Sequence, residues 1–450
     1  MRQNSLSKNS GIVLFFPIFL ASTCSNLLDI ASIFLDETIV GNLFEDAAFG
    51  AINAAEPFLL LQSFVSYLIS IGGVSLIIRA DAEKQYDRAN AIFSQSITLC
   101  LILGGITFII YSLFGTQMGV AVSGGTEVEA YVHQVISWTR SCVLVEPLYI
   151  FLFTYTLLMV GCFYALAMTI IEIYINYRLS VLLGMEMGIG GVMLATGISY
   201  FVGILLIALL IRLKKMPIKL KLACKISLAK EMVIIAFPES SYILSVAFME
   251  TVVNYFALKR YDVMGIAVAS VVINLFELIL HVSEGVSEYE SAALNKYLGQ
   301  RDADRLSHCI RVMIRAAIVE GLVFSVLQLT LADALVSIFD IDDPVTYDLA
   351  VQAVKIMALA PIIICFTRIY AIFFQYTKRT ARAAFLIIMS WGILPGVFSW
   401  MIGSLSVDGM VWGVVLGTSV VFFIMLVYVA AIKKEKIWEL TPEMYEIEYK

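Results

Sequence analysis

Four ionisable side chains recur at helical spacing in the stretch FELILHVSEGVSE, residues 276–288. Glu277, His281, Glu284 and Glu288, here named the polar stripe, are four, three and four residues apart. On a helix they fall within roughly 40° of one another on one face. Carboxylates on such a face can hold a cation, and a histidine exchanges protons at about pH 6–7. The first chemistry that the sequence suggests is therefore the binding of a cation or a proton.

Three interpretations of the polar stripe stay open. It lines a cavity and exchanges a cation or protons there, it forms a structural network with Lys355 or Arg368, or it binds a transition metal. The metal interpretation has little support, since the whole chain has only three histidines. The matching first-half segment, 61–73, has no charge, so the stripe is a feature of the second half. Glu250, on the preceding predicted helix, is expected to face the same cavity.

The composition indicates that lipid surrounds most of the chain. It has 450 residues, of which 60% are hydrophobic and 15% charged, and its mean hydropathy is +0.90. Soluble domains are about 45–50% apolar and about 25% charged. Apolar runs of about 18 or more residues, long enough to cross a bilayer core of about 30 Å, follow one another throughout. Ionisable groups inside such runs usually face a protein interior or a watery cavity.

We predict an all-α polytopic membrane protein with about twelve transmembrane helices in two pseudo-symmetric six-helix bundles. The most basic linker lies near the midpoint and divides the chain into an N-lobe (1–213), a cytoplasmic linker (214–230), a C-lobe (231–432) and a cytoplasmic tail (433–450). Turn signals predict loops at 115–127 and 333–345. The predicted helices are 11–36, 47–79, 88–114, 128–156, 160–183, 188–213, 231–257, 263–296, 304–331, 346–374, 383–405 and 408–432.

Lysine and arginine are distributed unequally between the two sides of this topology. One side carries both termini, the basic linker and the other charged turns, while the opposite side carries only Lys259 and Arg260. Positive charge favours the cytoplasmic side of a membrane. We therefore expect a multi-pass protein of the cell membrane with both termini in the cytoplasm.

The first predicted helix also carries acids. Asp36 is a candidate coupling or substrate-binding carboxylate, although its neighbour Glu37 favours a position at the water interface instead. Asp29 lies seven residues earlier, on the same helical face. Arg178, on the fifth helix, stays charged at physiological pH. Its guanidinium would pair with Asp36 or Asp29 if it faces the N-lobe cavity, or reach the lipid headgroups if it does not.

Several short motifs recur in a suggestive order. The first helix ends in DETIVG (36–41), a proline follows in AINAAEP (51–57), the sixth helix opens with GIGGVMLATGIS (188–199), and LGQRD (298–302) follows the eighth. Over nearly the whole chain these motifs resemble the multidrug and toxic compound extrusion (MATE) family of secondary transporters. The resemblance implies two lobes that alternate access. It also implies that Asp36 and Thr196 belong to an N-lobe cation site, and that the helix of Glu250 carries a functional acid.

Helix five departs from the family pattern. The family often has an Asn and an Asp four residues apart before the helix-six glycines. Counted without gaps, these positions are Tyr174 and Arg178, whereas a shift of two residues would place Asn176 and Ser180 there. The N-lobe cation site implied by the resemblance is therefore incomplete in either alignment.

We predict a secondary active transporter, not an enzyme, that exports organic cations, drugs or metabolites against an inward H⁺ or Na⁺ gradient. The expected partners are a small organic cation and the lipid bilayer, without nucleic acid, and the expected state is a monomer. No cofactor or metal is expected besides the coupling ion. The candidate substrate and coupling residues are Asp29, Asp36, Arg178, Thr196, Glu250, Glu277, His281, Glu284 and Glu288.

Two alternatives remain. A lipid-linked oligosaccharide flippase of the same superfamily would need a basic cavity, for which Arg140, Arg178 and Arg368 give weak support. A membrane receptor or embedded enzyme belongs to a different class, and neither long polar segment of the chain carries a clustered catalytic motif.

Overall fold

The structure is a computed structural model that describes residues 11–44, 46–123, 129–216, 220, 225–339 and 341–431. Some side chains within these ranges, Asp29 and Asp36 among them, are outside the described set. The described residues form helices joined by short turns, without a β-strand. The predicted all-α architecture is therefore confirmed.

The first half contains six long helices. Apolar residues predominate in each of them, and helical backbone satisfies its own hydrogen bonds, as lipid requires. Prolines occur inside α1 (Pro17) and α4 (Pro147). Helix α4 ends in a π-helical turn, Thr156–Val160, and Gly161 separates this turn from the next helix. The helices are α1 (Gly11–Leu43), α2 (Asp46–Ala82), α3 (Tyr86–Ser123), α4 (Glu129–Tyr155), α5 (Cys162–Met187) and α6 (Ile189–Leu213).

The second half begins with two long helices that meet at Asp262, whose left-handed backbone (φ 56°) ends the first of them. A π-helical turn, Met389–Ile393, joins two later helices. The helices are α7 (Ile226–Asp262), α8 (Met264–Gln300), α9 (Ala303–Thr330), α10 (Ala332–Val336), α11 (Pro344–Met357), α12 (Ala360–Tyr376), α13 (Thr380–Ile388), α14 (Leu394–Gly403) and α15 (Val407–Ala431).

Ten helices of the described residues are long and apolar enough to cross a membrane, and the bent pair α11 and α12 makes eleven. Together with the 33-residue α1, this equals the twelve predicted spans. Two sequence predictions were wrong in detail. The region predicted as one helix, 346–374, is bent by 40° between α11 and α12. The predicted loop 115–127 is helical up to Ser123, because its apolar residues continue α3.

The chain divides into two compact units. Unit one contains the chain up to Phe19 and from Phe237 onward, and unit two contains Leu20–Ala236. In unit one, α8 packs against α9 and α12 through buried residues such as Val286, Met313 and Ile369. The predicted lobe boundaries stay a prediction.

Candidate functional site

The polar stripe lies along one edge of α8. Glu277, His281, Glu284 and Glu288 are all partly exposed. The side chains that point the other way, such as Phe276 at 0% exposure, are buried. The helical spacing seen in the sequence thus corresponds to one accessible edge of an otherwise buried helix.

A buried arginine contacts the middle of the stripe. Arg368 of α12 is 2% exposed, and its Nη2 donates to Oε1 of Glu284 at 3.0 Å. Its Nη1 donates to the Ser283 hydroxyl at 2.7 Å and to the Leu280 carbonyl. The ring of Trp391 lies 5.1 Å from the guanidinium carbon. This ion pair belongs to the structural-network interpretation of the stripe, but it involves only Glu284.

The other stripe residues differ from Glu284. His281 Nδ1 lies 2.9 Å from the Glu277 carbonyl oxygen. Since a carbonyl oxygen only accepts, Nδ1 is the donor of this hydrogen bond. Lys355, the other predicted partner of the stripe, is exposed. Glu250 is half-buried on α7.

Two further acids of unit one lie close to Arg368. Glu239 of α7 accepts from Gln375 Nε2 at 3.0 Å and lies in the field of Arg368. Glu320 of α9 is 5% exposed and lies near Arg368 and Cys365. Unit one therefore places one guanidinium among several carboxyl groups.

Glu290 of α8 was missed by the sequence reasoning. It lies off the polar stripe, on the buried side of the helix, and is 0% exposed. The only signal in the sequence was an acid flanked by small and aromatic residues in the run SEYESAA (287–293). Among the described residues, no group of three His, Cys, Asp or Glu could hold a metal ion.

Unit two has its own buried acids. Glu146 of α4, 8% exposed, accepts from the Ser63 hydroxyl of α2 at 2.7 Å. Glu172 of α5, 7% exposed, accepts from the Ser199 hydroxyl of α6 at 2.6 Å. Both carboxyl groups act electrostatically on Tyr200 of α6. The buried polar groups of unit two thus lie between α2, α4, α5 and α6.

The predicted N-lobe residues are placed as follows. On α5, Tyr174 and Arg178 are exposed, whereas Asn176 and Ser180 are buried and hydrogen-bonded to each other at 3.3 Å. The alignment shifted by two residues therefore agrees with the buried face of α5. Thr196 is half-buried and donates to the carbonyl of residue 192 at 3.3 Å. The side chains of Asp29 and Asp36 lie outside the described residues.

Sequence and structure comparisons agree on the kind of protein. The family model MatE matches residues 241–401. Probable multidrug resistance protein YoeA of Bacillus subtilis (strain 168) is 25% identical over 335 residues, which cover 70% of each chain.

The fold is similar to solved transporters over nearly its whole length. A MOP superfamily transporter from Pyrococcus furiosus matches with a TM-score of 0.86 at 15% identity, covering 95% of this chain and 96% of that one. An outward-facing multidrug resistance MATE family transporter matches with a TM-score of 0.85 at 16% identity, with the same coverage of each chain. These matches show a MatE domain in residues 241–401 and the fold of MATE transporters, which are membrane transporters and not enzymes.

Proposed function

We propose that the protein exports small organic cations, including drugs, in exchange for H⁺ or Na⁺. Two relatives are named as multidrug resistance proteins. The P. furiosus structure, by contrast, is described as having a binding pocket of reverse polarity that suggests a different function. The fold alone therefore does not decide the substrate, and the chemistry of this chain's own side chains must do so.

The accessible acidic edge of α8 is the observation that carries this proposal. Three carboxyl groups and one imidazole share that edge, and each side chain keeps part of its surface accessible. A carboxylate attracts an organic cation, and a histidine can exchange a proton at neutral pH. Binding of a cationic substrate and binding of protons to the same groups would exclude each other, which is what exchange requires.

The Arg368–Glu284 ion pair suggests different roles for Glu284 and for the other residues of the polar stripe. Glu284 already has a fixed counter-charge in the buried Arg368. We propose that Glu277 and Glu288 contact the substrate, that His281 exchanges protons, and that Glu284 keeps the edge in place. Asp36 and Thr196 would complete an N-lobe ion site together with Asn176.

The test is transport by the purified protein in vesicles loaded with a fluorescent cation, with pH and Na⁺ gradients imposed separately. We expect one gradient alone to drive transport. Glu288→Gln should abolish transport while the amount of protein in the membrane is unchanged. Glu186→Gln, which alters an exposed acid of α5, is the matched control. Full transport by Glu277→Gln, Glu284→Gln and Glu288→Gln variants would refute the assignment.

The flippase alternative gains no support from two of its three candidate arginines, Arg178 and Arg368. Arg368 is buried and engaged by Glu284, Ser283 and Leu280, so its charge is not available to a pyrophosphate. Arg178 lies on the exposed side of α5 rather than with the buried Asn176. We therefore propose export of cations and not transfer of an anionic lipid.

We further propose that the protein is a monomer in the cell membrane with both termini in the cytoplasm. The distribution of lysine and arginine supports this orientation. Cysteines introduced beside Lys259 and in the basic linker should react with a membrane-impermeant reagent from opposite sides of the membrane. Labelling of both positions from one side would contradict the orientation.

A further inference from the structure

Glu290 is the most completely enclosed carboxyl group of unit one. It is 0% exposed, and neither Oε1 nor Oε2 has a hydrogen-bond partner. An ionised carboxylate in such a place would lose its hydration and gain nothing in return. Native proteins rarely leave a buried polar group unsatisfied, so each such group calls for an explanation.

Among the described residues, the groups that act on Glu290 do not include a cation. Glu239 of α7, Cys309 of α9 and Tyr370 of α12 interact with it electrostatically. None of these three is a cation. The nearby Arg368 acts on Glu239 and forms its direct ion pair with Glu284.

The polar groups next to Glu290 also include more hydrogen-bond acceptors than donors. Glu239 Oε2 receives the Gln375 amide at 3.0 Å and the Tyr376 hydroxyl at 3.5 Å. The Ser291 hydroxyl donates to the Tyr376 oxygen at 2.8 Å. After these bonds, both oxygens of Glu290 and Oε1 of Gln375 are buried without a donor.

We propose that Glu290 and Glu239 form a proton-binding site inside unit one, in which the proton is held on Glu290. A proton cancels the charge of one of the two acids and provides the missing donor. Two neighbouring carboxylates cannot both stay ionised at low cost, and one retained proton relieves their repulsion. A metal ion is a poorer occupant, since the described residues include no group of three His, Cys, Asp or Glu that could ligate it.

This site is separate from the polar stripe, because Glu290 is enclosed and the stripe is accessible. Its occupancy does not depend on transport. Its use as a store of the coupling proton does rest on the proposed function. If protons drive export, the inner site would hold a proton while the stripe is occupied by the substrate.

Infrared difference spectroscopy of the purified full-length protein, recorded across a pH titration, tests the occupancy. The wild-type protein should show the carbonyl band of a protonated, water-excluded carboxyl group. Glu290→Gln should remove that band, and Glu290→Asp should shift it. Glu186→Gln, at an exposed acid outside unit one, should leave it unchanged. In Glu239→Gln the band should disappear at a lower pH than in the wild-type protein, because the neighbouring charge is gone.

A purely structural role for Glu290 would not move the titration when Glu239 is changed. The proposal is overturned if wild-type and Glu290→Gln proteins have the same carboxyl bands at every pH. It is also overturned if Na⁺ at constant pH removes the band, since the site would then exchange sodium. If the band is present but no cation gradient drives efflux from vesicles, the proton site stands and the proposed export function fails.

Discussion

The Arg368–Glu284 pair allows a quantitative test of the electrostatics of unit one. Arg368 is 2% exposed and donates to a carboxylate, a hydroxyl and a carbonyl. Among the described residues, Arg368→Met removes the one guanidinium that acts on Glu284, Glu239 and Glu320. Removal of one partner of a buried ion pair typically costs about 3–5 kcal/mol, because the other charge is left uncompensated.

The reverse substitution should cost less. In Glu284→Gln the new amide oxygen can still accept from Arg368, whose field also reaches Glu239 and Glu320. Glu284 is also 16% exposed, so water screens part of its charge. We expect a loss of about 1–2 kcal/mol, the scale of one hydrogen bond to a charged group. The double variant should lose about 1–3 kcal/mol less than the sum of the two single losses.

The measurement is the free energy of unfolding in mixed detergent micelles, by equilibrium titration with a denaturing detergent. Arg311→Met, at an exposed arginine of α9, is the control and should change stability by no more than about 0.5 kcal/mol. Additive losses in the double variant would show that the two charges do not stabilise each other. A loss in Arg368→Met no larger than that of the control would refute the reasoning.

Two further predictions concern packing and a helix cap. A methyl group on Gly104 would overlap the backbone carbonyl of Leu144, whereas one on Gly105 meets nothing within 4 Å. Gly104→Ala should therefore lower the free energy of unfolding by about 1–3 kcal/mol. Gly105→Ala, the control, should leave it unchanged or raise it by up to about 1 kcal/mol. Equal effects of the two substitutions would contradict the close approach of α3 and α4. Asp343 caps α11 by accepting from the hydroxyl and the amide of Thr346, and these bonds hold its pKa below the ordinary value. The cap therefore stabilises the folded protein at a pH above the unfolded-state pKa of Asp343, and this contribution is lost as the pH falls through the folded-state pKa. The melting temperatures of the wild-type and Asp343→Ala proteins should therefore converge in acid. A difference in melting temperature that does not depend on pH would contradict this.

Spacing was sufficient to predict which side chains share the edge of α8. A period near 3.6 residues assigns Glu277 and Glu288 to one face, and both are partly exposed in the structure. The same rule assigns Glu290 to another face but cannot say whether that face is buried. The packing of α9 and α12 decides this, and it depends on residues far away in the sequence. For the same reason, Arg368 was only one of two candidate partners for the stripe.

Hydropathy predicted that the spans exist but not where they bend. The residues of 346–374 are almost uniformly apolar, so a length criterion treats them as one helix. Pro361 disfavours helical backbone at the residue before it, and the chain bends between Met357 and Ala360. The π-helical turn Met389–Ile393 has a proline close behind it as well, at Pro395. Both irregularities had a local signal that an average over 18 residues conceals.

The half-exposed edge of α8 also has a consequence for how this protein could diversify. Residues such as Phe276 and Ile279 hold the helix in place from its buried side. Glu277 and Glu288 contribute little to that packing, so their charge or length can change without loss of the fold. Selectivity for a new compound could therefore arise through a few substitutions along this edge, while Arg368 and the enclosed acids keep the rest of the bundle intact.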